Sequence, residues 1–138
     1  MKSLDVAVVL ASDDNYSMGL GVTIASFLRF ITPDYKIFLY IIDGGISQAN
    51  KKRLKKIVES SKVNVEIKFT IPDTSTFENL LCVDHINHFN STVFYRLLIP
   101  TLVDVSFEKA IYLDSDLLVR SDISKLWEIE IGDYALLA

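Results

Sequence analysis

Apolar positions along this chain alternate between continuous runs and helical spacing. Leu4 to Ala11 is a nearly unbroken apolar run rich in valine, the pattern of a strand buried on both faces. Tyr16 to Ile31 is apolar over most of its turns and long enough for a helix. Thr32-Pro33-Asp34 closes it, because proline cannot continue the hydrogen-bond ladder. Lys36 to Ile42 reads as a second buried strand that ends at Asp43-Gly44-Gly45. Ser47 is placed to cap the next helix, in which Leu54, Ile57 and Val58 share one face. From Val63 to Ile71 every second residue is apolar with polar residues between, which predicts a third strand. Pro72 to Asn90 is mixed and turn-rich. Ser91 is expected to cap a helix running through Phe94, Tyr95, Arg96, Leu97 and Leu98 towards Pro100. Lys109 to Leu113 predicts a fourth buried strand that runs straight into Asp114. Leu117 to Val119 predicts a short extended piece, and Asp122 to Trp127 a short helix capped by Asp122.

Strands alternating with helices predict parallel β-α-β units, hence an α/β fold with a mostly parallel sheet flanked by helices. There is no internal repeat and no low-complexity segment. Tyr134 to Ala138 begins another apolar run and stops inside what reads as a strand, so a truncated domain is expected.

Composition adds bounds to this picture. The 138 residues suit one domain, and half of them are hydrophobic. A chain of this length buries roughly two thirds of its unfolded surface, so a core can form without staples. Cys82 has no second cysteine to pair with, in agreement with a reducing compartment. A net charge of −4 does not recommend a nucleic-acid partner. The densest basic run, Lys51-Lys52-Arg53 with Lys55-Lys56, reads as a solvated helix face. The alternative is a peripheral membrane contact through anionic headgroups. The N-terminal MKSLDVAVVLAS is broken by Asp5 and followed by Asp13-Asp14, which reads as a first strand and not a signal peptide. No segment approaches the ~20 apolar residues of a membrane helix. A cytoplasmic protein is expected.

Candidate chemistry centres on Asp114-Ser115-Asp116. In open parallel sheets the ligand crevice lies beyond the carboxyl ends of the strands. In an extended segment, positions i and i+2 project to one side, so both carboxylates can converge on Mg²⁺ or Mn²⁺. Such a cation removes the repulsion that would otherwise protonate one of them. The alternative is a loop of solvated acids. Ala11-Ser12-Asp13-Asp14-Asn15-Tyr16 borders the same crevice after the first strand. Asp and Asn there can read a base or sugar edge and Tyr16 can stack, or Asp14 or Asn15 caps the helix and Tyr16 packs. Arg96, inside an apolar stretch, needs a phosphate, sugar hydroxyl or carboxylate partner if buried, or it snorkels to solvent. His85 and His88 could share a metal on a helix, but no helical period surrounds them, and they read as loop or surface histidines.

Two other frames compete. Gly19-Leu20-Gly21 with Asp43 suggests a dinucleotide-binding loop. The glycines, however, fall inside the helix, Ile24 stands where the third glycine belongs, and Asp13 and Asp14 would repel a diphosphate, so that reading is rejected. Strand-Asp-x-Asp also opens phosphatases of the haloacid dehalogenase type, with Asp114 as nucleophile. Here Leu117-Leu118 follow and three strands precede, against that family's pattern.

The ordered set of motifs resembles glycosyltransferase family 8, which includes bacterial lipopolysaccharide galactosyl- and glucosyltransferases and glycogenin. The matching segments are Ala11-Ser12-Asp13-Asp14-Asn15-Tyr16, Ile42-Asp43-Gly44-Gly45-Ile46-Ser47, Phe94-Tyr95-Arg96-Leu97, Tyr112-Leu113-Asp114-Ser115-Asp116-Leu117-Leu118-Val119 and Leu126-Trp127. They span nearly the whole chain.

The resemblance implies a GT-A (Rossmann-like) fold, with residues 1–138 as its nucleotide-sugar-binding N-terminal part. It implies transfer of a hexose from a UDP-sugar to a saccharide acceptor with retention, in lipopolysaccharide or other cell-envelope glycan synthesis. Mn²⁺ or Mg²⁺ would stabilise the departing UDP as a Lewis acid. The implied donor-binding residues are Ala11, Asp13, Asn15, Tyr16, Arg96, Asp114 and Ser115. Among them Asp13 and Tyr16 would hold the uracil, Asn15 the ribose, and Arg96 the donor sugar or phosphates. Asp114 and Asp116 would bind the metal, with Asp114 also near the ribose. The family's third metal ligand, a histidine, and the groups at its reacting centre lie in a later half, and His85 and His88 come too early to match. The chain alone is therefore expected to bind nucleotide and metal weakly and to turn over poorly. A non-catalytic nucleotide-sugar-binding fragment or subunit is the alternative.

Overall fold

A computed structural model describes residues 4–73, 75 and 91–138. Among them, strands β1 (Leu4–Ser12), β2 (Tyr35–Asp43), β3 (Asn64–Thr70) and β4 (Ile111–Tyr112) form one sheet in the order β3-β2-β1-β4, and every pairing is parallel. Helices α1 (Ser17–Phe30) and α2 (Gln48–Glu59) make the crossovers β1-α1-β2 and β2-α2-β3. The expected α/β architecture with a parallel sheet is therefore present.

The valine-rich β1 is central because both of its faces are covered. Val6, Val8 and Leu10 join Ile37, Leu39 and Ile41 of β2 beneath Leu20, Ile24 and Phe27 of α1 and Leu54 and Val58 of α2. Ala7, Val9 and Ala11 point the other way, with Tyr40 and Ile42, against Tyr95, Ile99, Leu102 and Phe107. This period-two division follows from the pleat. β1 and β2 stay in register from Leu4 opposite Tyr35 to Ser12 opposite Asp43, so the two strands end together. β3 buries Val65, Ile67 and Phe69 only partly, as its alternating pattern predicts for an outer strand.

Ser47 caps α2 as expected, its hydroxyl accepting the Asn50 N–H at 3.3 Å. α1 stops before Pro33. Beyond it, the Asp122 carboxylate accepts the Thr32 N–H (3.1 Å) and hydroxyl (2.6 Å) and also the Ser124 N–H (2.9 Å). The helical turn Ser124–Trp127 has Ile123 and not Asp122 as its N-cap, and Asp122 ties the start of that turn to the end of α1.

Three expectations are corrected. Ser91–Leu98 is a 3-10 helix and not a Ser91-capped α-helix, and Pro100 lies in the first turn of a new short helix, Ile99–Leu102, where its fixed φ is tolerated. The strand expected from Lys109 to Leu113 pairs only at Ile111–Tyr112, with one further bond from the Leu113 N–H to the Val9 carbonyl (3.0 Å). Lys109 instead reaches the Ile129 carbonyl at 2.8 Å and lies over the Trp127 ring. Residues 117–119 join no strand of the sheet, and hydroxyls of α1 bond the peptide groups of Leu117 and Val119. Residues 134–138 form no strand, and with Tyr134 72% and Leu136 76% exposed nothing enforces their apolar pattern. Cys82, His85 and His88 lie outside the described residues. No described helix is long and apolar enough to cross a membrane.

Candidate functional site

β4 lies beside β1 in parallel, so the loop after β1 and the segment after β4 emerge at the same sheet edge. Asp13, Asn15 and Tyr16 stand on the first, and Asp114, Ser115 and Asp116 on the second. Each is exposed or partly so: Tyr16 is 56% exposed, and Asp114 and Asp116 are exposed. Ala11 differs, since its side chain is buried in the second core and only its backbone faces the edge.

The triplet corrects one expectation. Ser115 and Asp116 sit in a turn, so the alternation of an extended strand does not set the direction of the two carboxylates. The backbone is fixed by α1 instead. A Cβ on Gly19 would stand 2.9 Å from the Ser115 carbonyl oxygen, closer than real Cβ contacts allow. One turn on, the buried Thr23 hydroxyl donates to the Leu117 carbonyl (2.8 Å) and accepts the Leu117 N–H (3.1 Å). Ser26 accepts the Val119 N–H at 2.9 Å. Thr23 and Ser26 were not singled out from sequence, and Gly19 was weighed there only as part of the rejected dinucleotide-binding loop. The available signal was their spacing along one face of an otherwise apolar helix, where small and hydroxylic residues break the pattern.

Arg96, on the 3-10 helix, places Nη2 3.4 Å from Asp114 Oδ1, with both side chains about half exposed. Its guanidinium also lies 5.0 Å from the centroid of the Tyr112 ring. Of the partners expected for Arg96, the carboxylate is the one present. Burial above all, helped by the Asp114 carboxylate and opposed by Arg96, pushes the Tyr112 phenol up to about 12. Tyr112 therefore stays neutral beside the ion pair.

The side-chain cap expected from Asp14 or Asn15 is not formed: Tyr16 is the N-cap of α1 and no side chain caps the helix. Asp13 instead accepts the Tyr16 N–H (3.1 Å) across the turn that precedes it. Asp14 instead reaches α2: its Oδ1 accepts the Ser47 N–H (2.7 Å) and the Asn50 amide (2.8 Å). Those two donors hold its carboxyl below the usual carboxylate range. The buried Asp43 at the end of β2 accepts the N–H groups of Gly45 (3.0 Å) and Ile46 (2.6 Å) and pairs with Lys51. Burial works against its charge, but Lys51 and the two N–H groups prevail and its carboxyl is held low. Lys51 is thus no part of a solvated face, since its side chain is 17% exposed. Lys52, Arg53, Lys55 and Lys56 remain at the surface.

Asp114 and Asp116 offer hard oxygen ligands of the kind a divalent cation takes while keeping water or phosphate oxygens in its remaining positions. Among the described residues no group of three or more His, Cys, Asp or Glu side chains could hold a metal.

Residues 7–138 match the family model described as "Glycosyl transferase family 8". The chain is 39% identical over 132 residues to "General stress protein A" of Bacillus subtilis (strain 168), covering 95% of this chain and 44% of that protein. It is 26% identical over 128 residues to the "Lipopolysaccharide 1,2-glucosyltransferase" of Escherichia coli (strain K12), covering 91% of this chain and 35% of that one. Among solved structures it is similar to the galactosyltransferase LgtC in complex with donor and acceptor sugar analogs. The TM-score is 0.72 at 30% identity, over 93% of this chain and 44% of that chain. The chain spans less than half the length of each.

Proposed function

Because the chain belongs to glycosyltransferase family 8 and has the fold of its GT-A members, we propose that it forms the nucleotide-sugar-binding part of a retaining hexosyltransferase. This transferase takes its sugar from UDP and passes it to a saccharide of the cell envelope. The supporting observation is the convergence at one sheet edge. The loop carrying Asp13, Asn15 and Tyr16 and the segment carrying Asp114 and Asp116 leave adjacent parallel strands, the usual place for a ligand in such sheets.

In this reading Tyr16 stacks on the uracil while Asp13 holds its edge, Asn15 contacts the ribose, and Ala11 and Ser115 line the donor through their backbone. Asp114 and Asp116 hold Mn²⁺ or Mg²⁺, which when bound neutralises the diphosphate and stabilises UDP as a leaving group. Arg96, 3.4 Å from Asp114, donates to a donor phosphate or sugar hydroxyl brought beside that carboxylate by the cation. For residues 1–138 alone the reading is nucleotide binding with weak turnover, because the described residues supply only two carboxylates to the cation.

Calorimetric titration with UDP tests this. UDP is expected to bind in the presence of Mn²⁺, and Asp116→Ala to weaken that binding by at least about tenfold, which corresponds to about 1.4 kcal/mol. Absence of UDP binding with every divalent cation tried overturns the proposal. Hydrolysis of a generic phosphate ester, lost in Asp114→Asn, would revive the phosphatase reading in its place.

A further inference from the structure

Asp14 is flanked by Asp13 and Asn15, yet its carboxylate is taken up by the first turn of α2 and not left for a ligand. Its Oδ1 accepts both the Ser47 N–H and the Asn50 side-chain amide. The same Asn50 nitrogen lies 2.8 Å from the Ser17 hydroxyl, which itself donates to the Asp14 carbonyl at 2.6 Å. Arg53 donates to Asn50 Oδ1 at 3.0 Å and so fixes which end of the amide faces Asp14. One α2 side chain therefore joins both ends of the turn that displays Asp13, Asn15 and Tyr16.

We propose that Asp14 and Asn50 are positioning residues for nucleotide binding, with the Asn50 amide bridging Asp14 and Ser17 to lock the 13–16 turn in its receiving conformation. The inference rests on the reading that this turn holds a uridine nucleotide. Exposed loop residues lose conformational freedom when they close on a ligand, and that loss weakens binding. A turn ordered beforehand by α2 avoids it. Neither residue touches the ligand, so both act through Asp13, Asn15 and Tyr16.

The test exchanges the two groups. Asn50→Asp sets a carboxylate against that of Asp14. It leaves the fold intact, because an acid in the first turn of a helix suits the dipole. Asp14→Asn in the same chain restores an amide opposite a carboxylate. In Asn50→Asp, UDP affinity with Mn²⁺ is expected to fall about tenfold at unchanged melting temperature, because the turn is no longer ordered in advance. Amide hydrogen exchange at residues 13–16 is expected to quicken. In the double variant both are expected to return to within about twofold of the original, as coupled neighbours do. Unchanged UDP affinity in Asn50→Asp, or a defect that survives in the double variant, overturns the positioning role. If the unaltered chain fails to bind UDP with Mn²⁺, the nucleotide reading falls and this role falls with it, whereas the exchange rates still report whether the clamp exists.

Discussion

In the loop after β1 and the turn after β2, side chains hold the backbone: Asp13 closes on the Tyr16 N–H, Asp14 on Ser47 and Asn50, and Asp43 on the turn that leads to α2. After β4 the division is reversed. There the backbone is held by α1, through the close contact at Gly19 and the hydroxyls of Thr23 and Ser26, and the carboxylates of Asp114 and Asp116 stay exposed. The contrast matches the ligands proposed for each. A base and ribose are recognised by shape and a few hydrogen bonds, which favours a loop stiffened by its own acids. A cation is recognised by charge, which favours exposed carboxylates on a rigid backbone, with Asp114 shared with Arg96.

The contrast predicts that loss of a buried anchor, Asp43 in the first region or Thr23 in the second, lowers stability, while changes to exposed groups lower affinity alone. The largest effect is expected for Asp43→Ala, which uncaps Gly45 and Ile46 and leaves Lys51 without its buried partner. A loss of about 3 kcal/mol is expected in denaturant unfolding, and a near-neutral result would remove Asp43 from the account. The same carboxyl sets a pH dependence. Its folded pKa lies below the unfolded value of 3.8. Its contribution is therefore complete above that value and is lost as pH falls through the folded pKa. Melting temperature should drop as pH falls below 3.8, and Asp43→Asn should flatten the drop.

Thr23→Val keeps the shape of the side chain but removes both bonds to Leu117. It is expected to cost about 2 kcal/mol, because two peptide groups lose their partner, and to weaken Mn²⁺-dependent UDP binding by moving the triplet. Retained affinity at lowered stability would show that α1 supports the fold but not the site. Gly19→Ala gains helix propensity of up to about 1 kcal/mol against an overpacking cost of about 1–3 kcal/mol. The net loss expected from thermal melting is about 1 kcal/mol, and a stabilised variant would show that the Ser115 carbonyl yields freely. Arg96→Met is expected to change stability by less than about 0.5 kcal/mol, since the ion pair is half exposed and screened. Its effect should appear in UDP affinity, and a large fall in melting temperature would contradict the contrast.

The first half of the fold was legible because its signals are local. The apolar runs at β1 and β2, the helical face of Leu54, Ile57 and Val58, and Ser47 as a cap each act within a few residues. The candidate residues were chosen as types in order, and the strands place Asp13, Asn15, Tyr16, Asp114 and Asp116 near one sheet edge, with Arg96 beside Asp114. Their partners were not legible. Asp13 and Asp14 are adjacent acids with the same sequence signature, and only the arrival of α2 separates a local turn-former from a tertiary anchor.

Sequence by itself therefore determined the alternation of strand and helix, the parallel sheet and the identity of the groups available for chemistry. Periodicity and capping are short-range, and burial of continuous apolar runs admits few alternatives. Tertiary structure alone decided that β4 pairs over two residues, that Lys51 belongs to Asp43, and that the metal-binding triplet proposed here is a turn seated on a glycine. Each of these depends on groups brought together from afar, as Thr23 and Leu117 are across 94 positions, and no local pattern records which partner will arrive.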